Sequence, residues 1–397
     1  MPRRSISHIY QHCAYEGFGV SSRIIQFGTS RFLQAHAALF VHEARQSGQD
    51  VGPITVVQTS GASSRSGRVD AFNNPEGYPV AIRGMLAGQS VEQTVQVTSV
   101  ERGLSAIENW EELSKLFAAD AEFVISNTGD TGYQTRPEED GFGVNGQIPR
   151  SFPAKLAALL VTRWRASGRP LVILPCELVT ANGRILKQAV VDSAKLNAVP
   201  AEFYTWLDDN VAFAETLVDR IVSEPIEPIG AVAEPYALWA IKRAPGVHPP
   251  CTHASIVLTD DLEPYERLKL HILNLGHTFL AEIWQRENRP ADETVRAMLA
   301  DKDMRARLDA LYQSEVLPGF AANGMGEVAK AYVTSTIDRF RNPFLDHRIT
   351  DISQHHPEKV GRRIHAFLEW ADQARSPSSA PTLREIAARY PLITAAP

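Results

Sequence analysis

The stretch Arg23-Ile-Ile-Gln-Phe-Gly-Thr-Ser-Arg31 sets the fold class of this chain. Its apolar first half predicts a short buried strand that ends at Gly28, and the residues from Thr29 to Ala44 have the composition of a helix. A second apolar strand is predicted at Ile54–Gln58. A strand, a helix and a strand in such quick succession indicate a parallel, right-handed βαβ unit.

The rest of the chain extends this pattern into two predicted domains. Strands predicted at Glu122–Ser126 and Leu171–Leu174 alternate with helical runs, which is typical of a doubly wound sheet. The segment Ser223–Pro250 is rich in proline and weakly patterned, and we predict a connection there. The fold class is therefore α/β, with a Rossmann-like domain at residues 1–247 and a mainly α-helical domain at residues 248–397.

Composition narrows the class of protein. The 397 residues carry a net charge of -6, which argues against nucleic acid or an acidic membrane surface as a partner. Three widely spaced cysteines, Cys13, Cys176 and Cys251, suit a reducing compartment better than a disulfide framework. No apolar run reaches the roughly 18 residues of a spanning helix. We expect a cytoplasmic monomer or small homo-oligomer.

The first turn between strand and helix, Phe27-Gly28-Thr29-Ser30-Arg31, is the place where a dinucleotide pyrophosphate binds in doubly wound folds. It holds one glycine where the full fingerprint has three, so a plain tight turn is the alternative. Our interpretation is that these five residues bind the cofactor.

Other predicted cofactor contacts follow the later strands. Gln58 ends the second strand, where an acidic residue would indicate NAD, and Arg65 or Arg68 could pair with a 2′-phosphate. NAD is the expected cofactor, and NADP stays open. Asn127 and Thr128 come directly after a buried strand and should face the same crevice, unless they form an ordinary glycine-rich turn.

One strand further on, Cys176-Glu177 occupies the equivalent place after Leu171–Leu174. We predict that Glu177 contacts the substrate, because ligands in such sheets lie beyond the carboxyl ends of the strands. A surface charge is the alternative.

A second informative stretch runs from Glu263 to Trp284 and is predicted to be one long buried helix, because it is apolar on almost every side. It nevertheless carries Lys269, Asn274 and His277, and buried polar groups must meet polar partners. On an α-helix Lys269 and His277 lie about 80° apart. Desolvation would lower the pKa of the lysine and make it a usable base. The alternative is a lysine that reaches water beside a hydrogen-bonded core histidine.

The cluster His248-Pro-Pro-Cys-Thr-His253 offers three possible zinc ligands, but two prolines interrupt it and its spacing matches no usual zinc site. We predict no metal site.

Several stretches resemble the long-chain polyol and sugar-acid dehydrogenases, the mannitol dehydrogenase family. They are Gln26-Phe-Gly-Thr-Ser-Arg-Phe-Leu-Gln-Ala-His36, Leu217-Val-Asp-Arg-Ile221 and the signature Lys269-x4-Asn274-x2-His277. Pro175-Cys-Glu-Leu178 with Asn182-Gly183, Phe340-x-Asn-Pro-Phe344 and Asp346-His347 are similar to the tagaturonate reductase (altronate oxidoreductase) branch.

The resemblance implies a metal-independent dehydrogenase. It implies that Lys269 is the general acid/base, that Asn274 holds the reacting oxygen and that His277 contacts the substrate. It also maps the aspartate of the second motif onto Asp219. Leu178 stands where mannitol dehydrogenases carry a second oxyanion-binding asparagine, and this departure matches the tagaturonate reductase branch.

The function predicted from the sequence is the NAD(P)-dependent interconversion of a keto sugar acid and a hydroxy acid, tagaturonate- or fructuronate-like and altronate- or mannonate-like. His347 and Arg348 are predicted substrate contacts, and Arg348 or Arg339 would supply the counter-charge for the carboxylate. One alternative is a polyol dehydrogenase acting on neutral sugar alcohols. Another, from a different class, is a nucleotide-binding protein without turnover.

Overall fold

The computed structural model describes residues 23–60, 66–129, 132–143, 147–374 and 379–392. Cys13 and Arg65 lie outside these ranges. Backbone contacts divide the chain into two units. The first consists of Met1–Ala81, Thr94–Ala233 and Ala237–Leu262, and the second of Ile82–Gln93, Glu234–Tyr236 and Glu263–Pro397. The domain boundary at 247/248 stays a prediction.

The strands of the chain and the helices of the first unit have the following bounds. The strands are β1 Arg23–Phe27, β2 Ile54–Gln58, β3 Tyr78–Leu86, β4 Gln89–Val97, β5 Val100–Ser105, β6 Ala121–Ser126, β7 Leu171–Pro175, β8 Val211–Phe213, β9 Thr216–Asp219, β10 Val222–Pro225, β11 Ala231–Ala233, β12 Leu238–Lys242 and β13 Ile256–Thr259. The helices are α1 Arg31–Gln34, α2 Ala37–Gln46, α3 Ser66–Ala71, α4 Trp110–Ala119, α5 Phe152–Ala166, α6 Asn182–Leu196 and α7 Ala201–Asn210.

The core of the first unit is a six-stranded sheet in the order β5-β2-β1-β6-β7-β8. Each neighbouring pair is parallel, and Ile25 pairs with Thr55 on one side and with Val124 on the other. When the six strands of this sheet alone are numbered from 1 to 6 along the sequence, their order is the 3-2-1-4-5-6 of dinucleotide-binding folds. The predicted fold class is confirmed, and the strand order reverses between β1 and β6.

The predicted helix from Thr29 to Ala44 is divided in two. Arg220 donates from Nη1 to the carbonyl oxygen of Ala35 at 2.6 Å, at the break between α1 and α2. Because that carbonyl is bound by a side chain, it does not continue the helical ladder.

The predicted connection Ser223–Pro250 was wrong, because it contains β11 and β12. β12 pairs with β9 and β13 in a three-stranded sheet, and β11 lies in a four-stranded sheet of order β10-β11-β3-β4. The residues Ala231–Ala233 and Leu238–Ile241 are buried. Pairing with distant strands therefore outweighs the weak local pattern.

The second unit is mainly helical and also contains the adjoining ends of β3 and β4. Its helices are α8 Glu263–Leu268, α9 Leu275–Arg286, α10 Val295–Ala300, α11 Lys302–Leu311, α12 Leu317–Ala322, α13 Gly326–Phe340, α14 Ile349–Ser353, α15 His356–Val360, α16 Ala366–Asp372 and α17 Pro381–Arg389. Three π turns, Lys269–Asn274, Tyr312–Val316 and Gly361–His365, interrupt the longer helices. One apolar core, which includes Ile272, Leu280, Leu308 and Phe367, joins these elements.

The last helix, α17, is held by two buried carboxylates. Glu315 accepts hydrogen bonds from the backbone N–H groups of Thr382 and Leu383 at the start of the helix, both at 2.9 Å. At its end, Glu282 of α9 accepts from Arg389 at 3.0 Å and from the Tyr390 hydroxyl at 2.9 Å. Partnered in this way, the buried charges stabilise the packing of α17.

Candidate active site

Gly28 ends β1 in a conformation that requires glycine. Its φ is +115°, and a Cβ at this position would lie 2.4 Å from the backbone oxygen of Asn127. The close approach arises because β1 and β6 are neighbours and their carboxyl ends meet. The turn Gly28–Arg31 thus lies at the point where the strand order reverses, which is where doubly wound sheets bind ligands.

Asn127 connects the ends of three strands. Its amide nitrogen donates to the carbonyl of Cys176 at 2.7 Å, and its amide oxygen accepts from the hydroxyl of Ser30 at 3.4 Å. Ser30 also caps α1 by accepting the N–H of Leu33. The structure brings the predicted residues Phe27, Gly28, Thr29, Ser30, Asn127 and Thr128 to one edge of the sheet, with Arg31 exposed beside them. Their role in binding a cofactor stays a prediction.

The carboxylate of Glu177 accepts hydrogen bonds from several groups at this edge of the sheet. Its Oε1 accepts from the N–H and the hydroxyl of Thr128 at 3.1 and 3.0 Å, and its Oε2 accepts from Ser126 at 3.0 Å and Tyr133 at 2.9 Å. The side chain is buried, and four donors meet its two oxygens. These are the contacts of a positioning residue, and direct contact of Glu177 with substrate stays an untested prediction.

Asn182 extends the network, and the sequence analysis did not assign it a role. Its amide nitrogen donates to the carbonyls of Pro175, Glu177 and Thr216, and its amide oxygen accepts the N–H of Thr216 at 3.0 Å. The position of Asn182 shortly after a strand was the only signal of this role in the sequence. Its partner Thr216 could not be predicted, because it lies 34 residues away.

Gln58 lies at the carboxyl end of β2. Its amide nitrogen donates to the carbonyl of Ser60 at 2.8 Å, which fixes the orientation of the amide. Its Oε1 is buried and has no hydrogen-bond partner among the described residues. A buried acceptor without a partner requires an explanation. Arg68, half-buried, lies nearby in sequence on α3.

In the second unit, the signature residues lie on and beside a π turn, so the prediction of one uniform buried helix was wrong. α8 contains no buried residue, and the residues Lys269–Asn274 between α8 and α9 are π-helical. In a π turn residues five apart lie on the same side of the helix, whereas on an α-helix they are about 140° apart. An i,i+5 spacing therefore puts Asn274 nearer to the helix face of the half-buried Lys269 than an α-helix would, and the 80° angle calculated for Lys269 and His277 does not hold.

Two side chains from other π turns stabilise this turn. The Tyr312 hydroxyl donates to the carbonyl of Ile272 at 2.9 Å, and Arg363 donates from Nη1 to the carbonyl of Asn274 at 3.2 Å. Gly276 makes room for the tyrosine, because a Cβ there would lie 2.0 Å from the Tyr312 hydroxyl. The Tyr312 hydroxyl is thus a second donor to the Ile272 carbonyl, which also accepts the backbone N–H of Leu275. Neither Tyr312 nor Arg363 was predicted from the sequence.

His277 is buried against aromatic rings. Its ring centroid is 4.4 Å from that of Phe340 and 5.0 Å from that of His347. Burial, and then the nearby His347, Arg363, Arg339 and Lys359, hold the pKa of His277 well below its usual value. His277 is therefore a neutral imidazole that can exchange a hydrogen bond with a hydroxyl group.

The remaining predicted contacts differ in exposure. Asp219 is buried at the end of β9, and His347 is half-buried with a pKa that burial lowers. Arg348 is exposed just before α14, and the side chain of Leu178 is 73% exposed. Their roles stay predictions.

Arg339, by contrast, was a wrong candidate for the carboxylate counter-charge. Its side chain is buried with that of Glu234, and the two groups meet through Nε–Oε2 at 3.0 Å and Nη2–Oε1 at 2.9 Å. The guanidinium also lies 4.4 Å from the ring centroid of Tyr236. Breaking such a buried pair would be costly, so Arg339 serves the fold.

Among the described residues, no group of three histidine, cysteine or acidic side chains could hold a metal ion. In the stretch His248–His253, for which we predicted no metal site, His253 contacts Glu43 at 2.7 Å and Cys251 is buried. Within the same described ranges, no helix has the length and apolarity needed to cross a membrane.

The chain is similar to known proteins along most of its length. Residues 22–249 match the mannitol dehydrogenase Rossmann domain, and residues 261–388 match the mannitol dehydrogenase C-terminal domain. The altronate oxidoreductase of Halalkalibacterium halodurans is 30% identical over 372 residues, which cover 88% of this chain and 71% of that protein. The altronate oxidoreductase of Bacillus subtilis is 27% identical over 376 residues, covering 88% and 75%.

Two solved structures share the fold. D-sorbitol dehydrogenase in its substrate-free form has a TM-score of 0.73 at 20% identity, covering 92% of this chain and 84% of that one. Pseudomonas fluorescens mannitol 2-dehydrogenase, in a ternary complex with NAD and D-mannitol, has a TM-score of 0.69 at 19% identity, covering 89% and 77%. From the two domain matches and the altronate oxidoreductase relatives we conclude that the chain belongs to the mannitol dehydrogenase family and is a dehydrogenase.

Proposed function

We propose that this chain is an NAD-dependent reductase that interconverts a keto sugar acid, tagaturonate or a close isomer, and the corresponding hydroxy acid. The observation that supports the proposal is the π turn Lys269–Asn274, which lies one turn before the neutral His277 and whose spacing favours a common face for Lys269 and Asn274. The altronate oxidoreductase relatives, which this chain matches over more than two thirds of their length, support the choice of substrate.

Lys269 is the proposed acid and base. During reduction its ammonium donates a proton to the substrate oxygen as negative charge grows there, and during oxidation the neutral amine accepts the hydroxyl proton. The amide of Asn274 donates a hydrogen bond to the same oxygen, which stabilises the developing charge. His277 orients the substrate through a hydroxyl group, as a neutral imidazole can.

The first unit is proposed to bind NAD. When bound, the nicotinamide supplies the hydride for reduction and accepts it in the reverse direction. The turn at Gly28 has no room for a Cβ and lies where doubly wound sheets bind the pyrophosphate of a dinucleotide. The buried Oε1 of Gln58 is an acceptor, and it suits a ribose hydroxyl, which can donate, better than a 2′-phosphate, which cannot.

A panel of carbonyl substrates tests the proposal. We expect NADH to be consumed with D-tagaturonate or D-fructuronate, more slowly with D-tagatose and D-fructose, and more slowly still when NADPH replaces NADH. Lys269→Ala should lower kcat by about 100-fold or more, the scale of general acid–base catalysis. Lys330→Ala, which removes an exposed lysine of α13, is the matched control.

Two outcomes would contradict the proposal. Near wild-type kcat in Lys269→Ala would refute the proton-transfer role. Binding of NADH without turnover of any substrate in the panel would favour a nucleotide-binding protein over an enzyme of this specificity.

A further inference from the structure

Arg363 has an unusual position in the second unit. It lies in the π turn Gly361–His365, and its Nη1 donates to the carbonyl of Asn274 at 3.2 Å and to the hydroxyl of Thr278 at 3.0 Å. Its own carbonyl accepts from His271 Nδ1 at 3.1 Å. Arg363 is thus fixed against the helix that carries Lys269, Asn274 and His277.

The guanidinium of Arg363 is half-buried, yet no carboxylate among the described residues lies within 4.0 Å of it. The buried Arg339 of the same unit differs, because its guanidinium meets the carboxylate of Glu234. Removing a cation from water without a counter-charge is costly. The cost is visible in the pKa of Arg363, which burial and then Arg362 lower to about 10.

The surroundings of Arg363 are also cationic. Lys359, four residues earlier, donates to the carbonyl of Ile352 at 2.7 Å, and burial, with Arg363 and Arg362, lowers its pKa. Arg363 acts on His277 as well, because it helps to lower the pKa of that imidazole. This part of the unit therefore attracts an anion.

Arg363 retains donors for such an anion. Its side-chain hydrogen bonds to the described residues all use Nη1, so that Nε and Nη2 have no acceptor among those residues. A guanidinium edge with two parallel N–H groups binds a carboxylate bidentately, whereas a hydroxymethyl group gains little from it.

We infer that Arg363 binds the carboxylate of the substrate and selects sugar acids over neutral ketoses. The inference rests on the proposed function, because it places the acid group of the proposed substrate beside the signature helix. It assigns the counter-charge to a residue 15 positions beyond Arg348, the exposed arginine that the sequence suggested.

The alternative is that Arg363 only supports the Asn274 carbonyl. A pair of substrates that differ at one carbon separates the two roles, because D-tagaturonate carries a carboxylate where D-tagatose carries a hydroxymethyl group. A supporting role predicts that loss of the guanidinium lowers kcat/KM for both substrates equally. A carboxylate-binding role predicts a loss for the sugar acid alone.

The experiment measures kcat/KM with NADH for both substrates in four proteins: wild type, Arg363→Met, Arg363→Lys and Arg362→Met. For Arg363→Met we expect a loss of about 10- to 100-fold with tagaturonate, as for one charged hydrogen-bonded contact, and less than about 3-fold with tagatose. Arg363→Lys keeps the positive charge but not the two parallel N–H groups, so its loss of kcat/KM with tagaturonate should be smaller. Arg362→Met, the exposed neighbour, should behave as wild type.

An unchanged ratio of the two kcat/KM values in both Arg363 variants would overturn the inference. Arg363→Lys decides the question if Arg363→Met does not fold. Should wild type reduce neither substrate, the proposed function fails, and calorimetric binding of D-altronate then tests the inference independently. Binding that is weaker in Arg363→Met than in Arg362→Met retains the role of Arg363, and equal binding overturns it.

Discussion

Tyr312→Phe is the most direct test of the π turn, because it removes one oxygen atom and keeps the ring. The lost hydroxyl donates to the carbonyl of Ile272, and both groups are in the buried core of the second unit. The carbonyl keeps the backbone N–H of Leu275, so the variant loses one hydrogen bond, at a cost of about 0.5–1.5 kcal/mol. At about 2–4 °C per kcal/mol for a domain of this size, the Tm should fall by roughly 1–6 °C.

The same change should affect catalysis. Without the hydroxyl, the carbonyl of Ile272 gains by returning to the regular α-helical ladder, which would rotate Asn274 away from Lys269 by about 100° or more. We therefore expect kcat to fall at least about 10-fold, since removal of an oxyanion donor costs this much or more. The KM for NADH should be unchanged.

Tyr390→Phe is the matched control for Tyr312→Phe. It also removes a tyrosine hydroxyl in the second unit, one that donates to Glu282 at 2.9 Å at the end of α17. Thermal melting and steady-state kinetics of the two variants are compared. Tyr390→Phe should lose stability and keep kcat, and a wild-type kcat in Tyr312→Phe as well would refute our account of the π turn.

Three further predictions concern other parts of the chain. Gly28→Ala should abolish NADH binding, measured by fluorescence, because its Cβ would lie 2.4 Å from the Asn127 oxygen, whereas Gly48→Ala, at φ +87° with open space around it, should retain binding. Glu177→Gln should lower the unfolding free energy by about 1–3 kcal/mol in urea titrations, because an amide nitrogen replaces one acceptor oxygen. Burial lowers the pKa of His271 to about 4. The pKa of histidine in the unfolded state is near 6.5, so the folded state binds fewer protons than the unfolded state between pH 6.5 and 4. The stability that is present above pH 6.5 is therefore lost as the pH falls towards 4, by about 3 kcal/mol. The decrease in Tm between pH 7.5 and 4.5 should be smaller in His271→Asn.

The sheet of the first unit could be predicted because its signals are local. Buried parallel strands are continuous apolar runs, and Arg23–Phe27, Ile54–Gln58 and Ala121–Ser126 each read as one. The glycine at position 28 marks the turn for the same reason, since its positive φ is a property of one residue.

The parts that were missed depend on partners far away in the sequence. A π turn adds a residue to one turn of a helix and leaves the apolar pattern nearly unchanged, and the hydroxyl that stabilises it comes from Tyr312, 40 residues beyond Ile272. Arg339 looked like a candidate for the substrate because its partner Glu234 lies 105 residues earlier. Hydrophobic periodicity predicts which face of a helix is buried, but it does not predict which charged side chains pair on that face.

Glu282 has a consequence for synthesis of the chain. It lies on α9, the helix that carries His277, and its side chain is buried with Arg389 and Tyr390 as partners. While the ribosome is still adding the last residues of α17, α9 would have to bury this carboxylate with only His356 beside it. A buried carboxylate without its cation costs about 3–5 kcal/mol. We therefore expect the second unit to acquire its stable packing only after Tyr390 has left the exit tunnel, so that the helix that carries His277 matures later than its own position in the chain would allow.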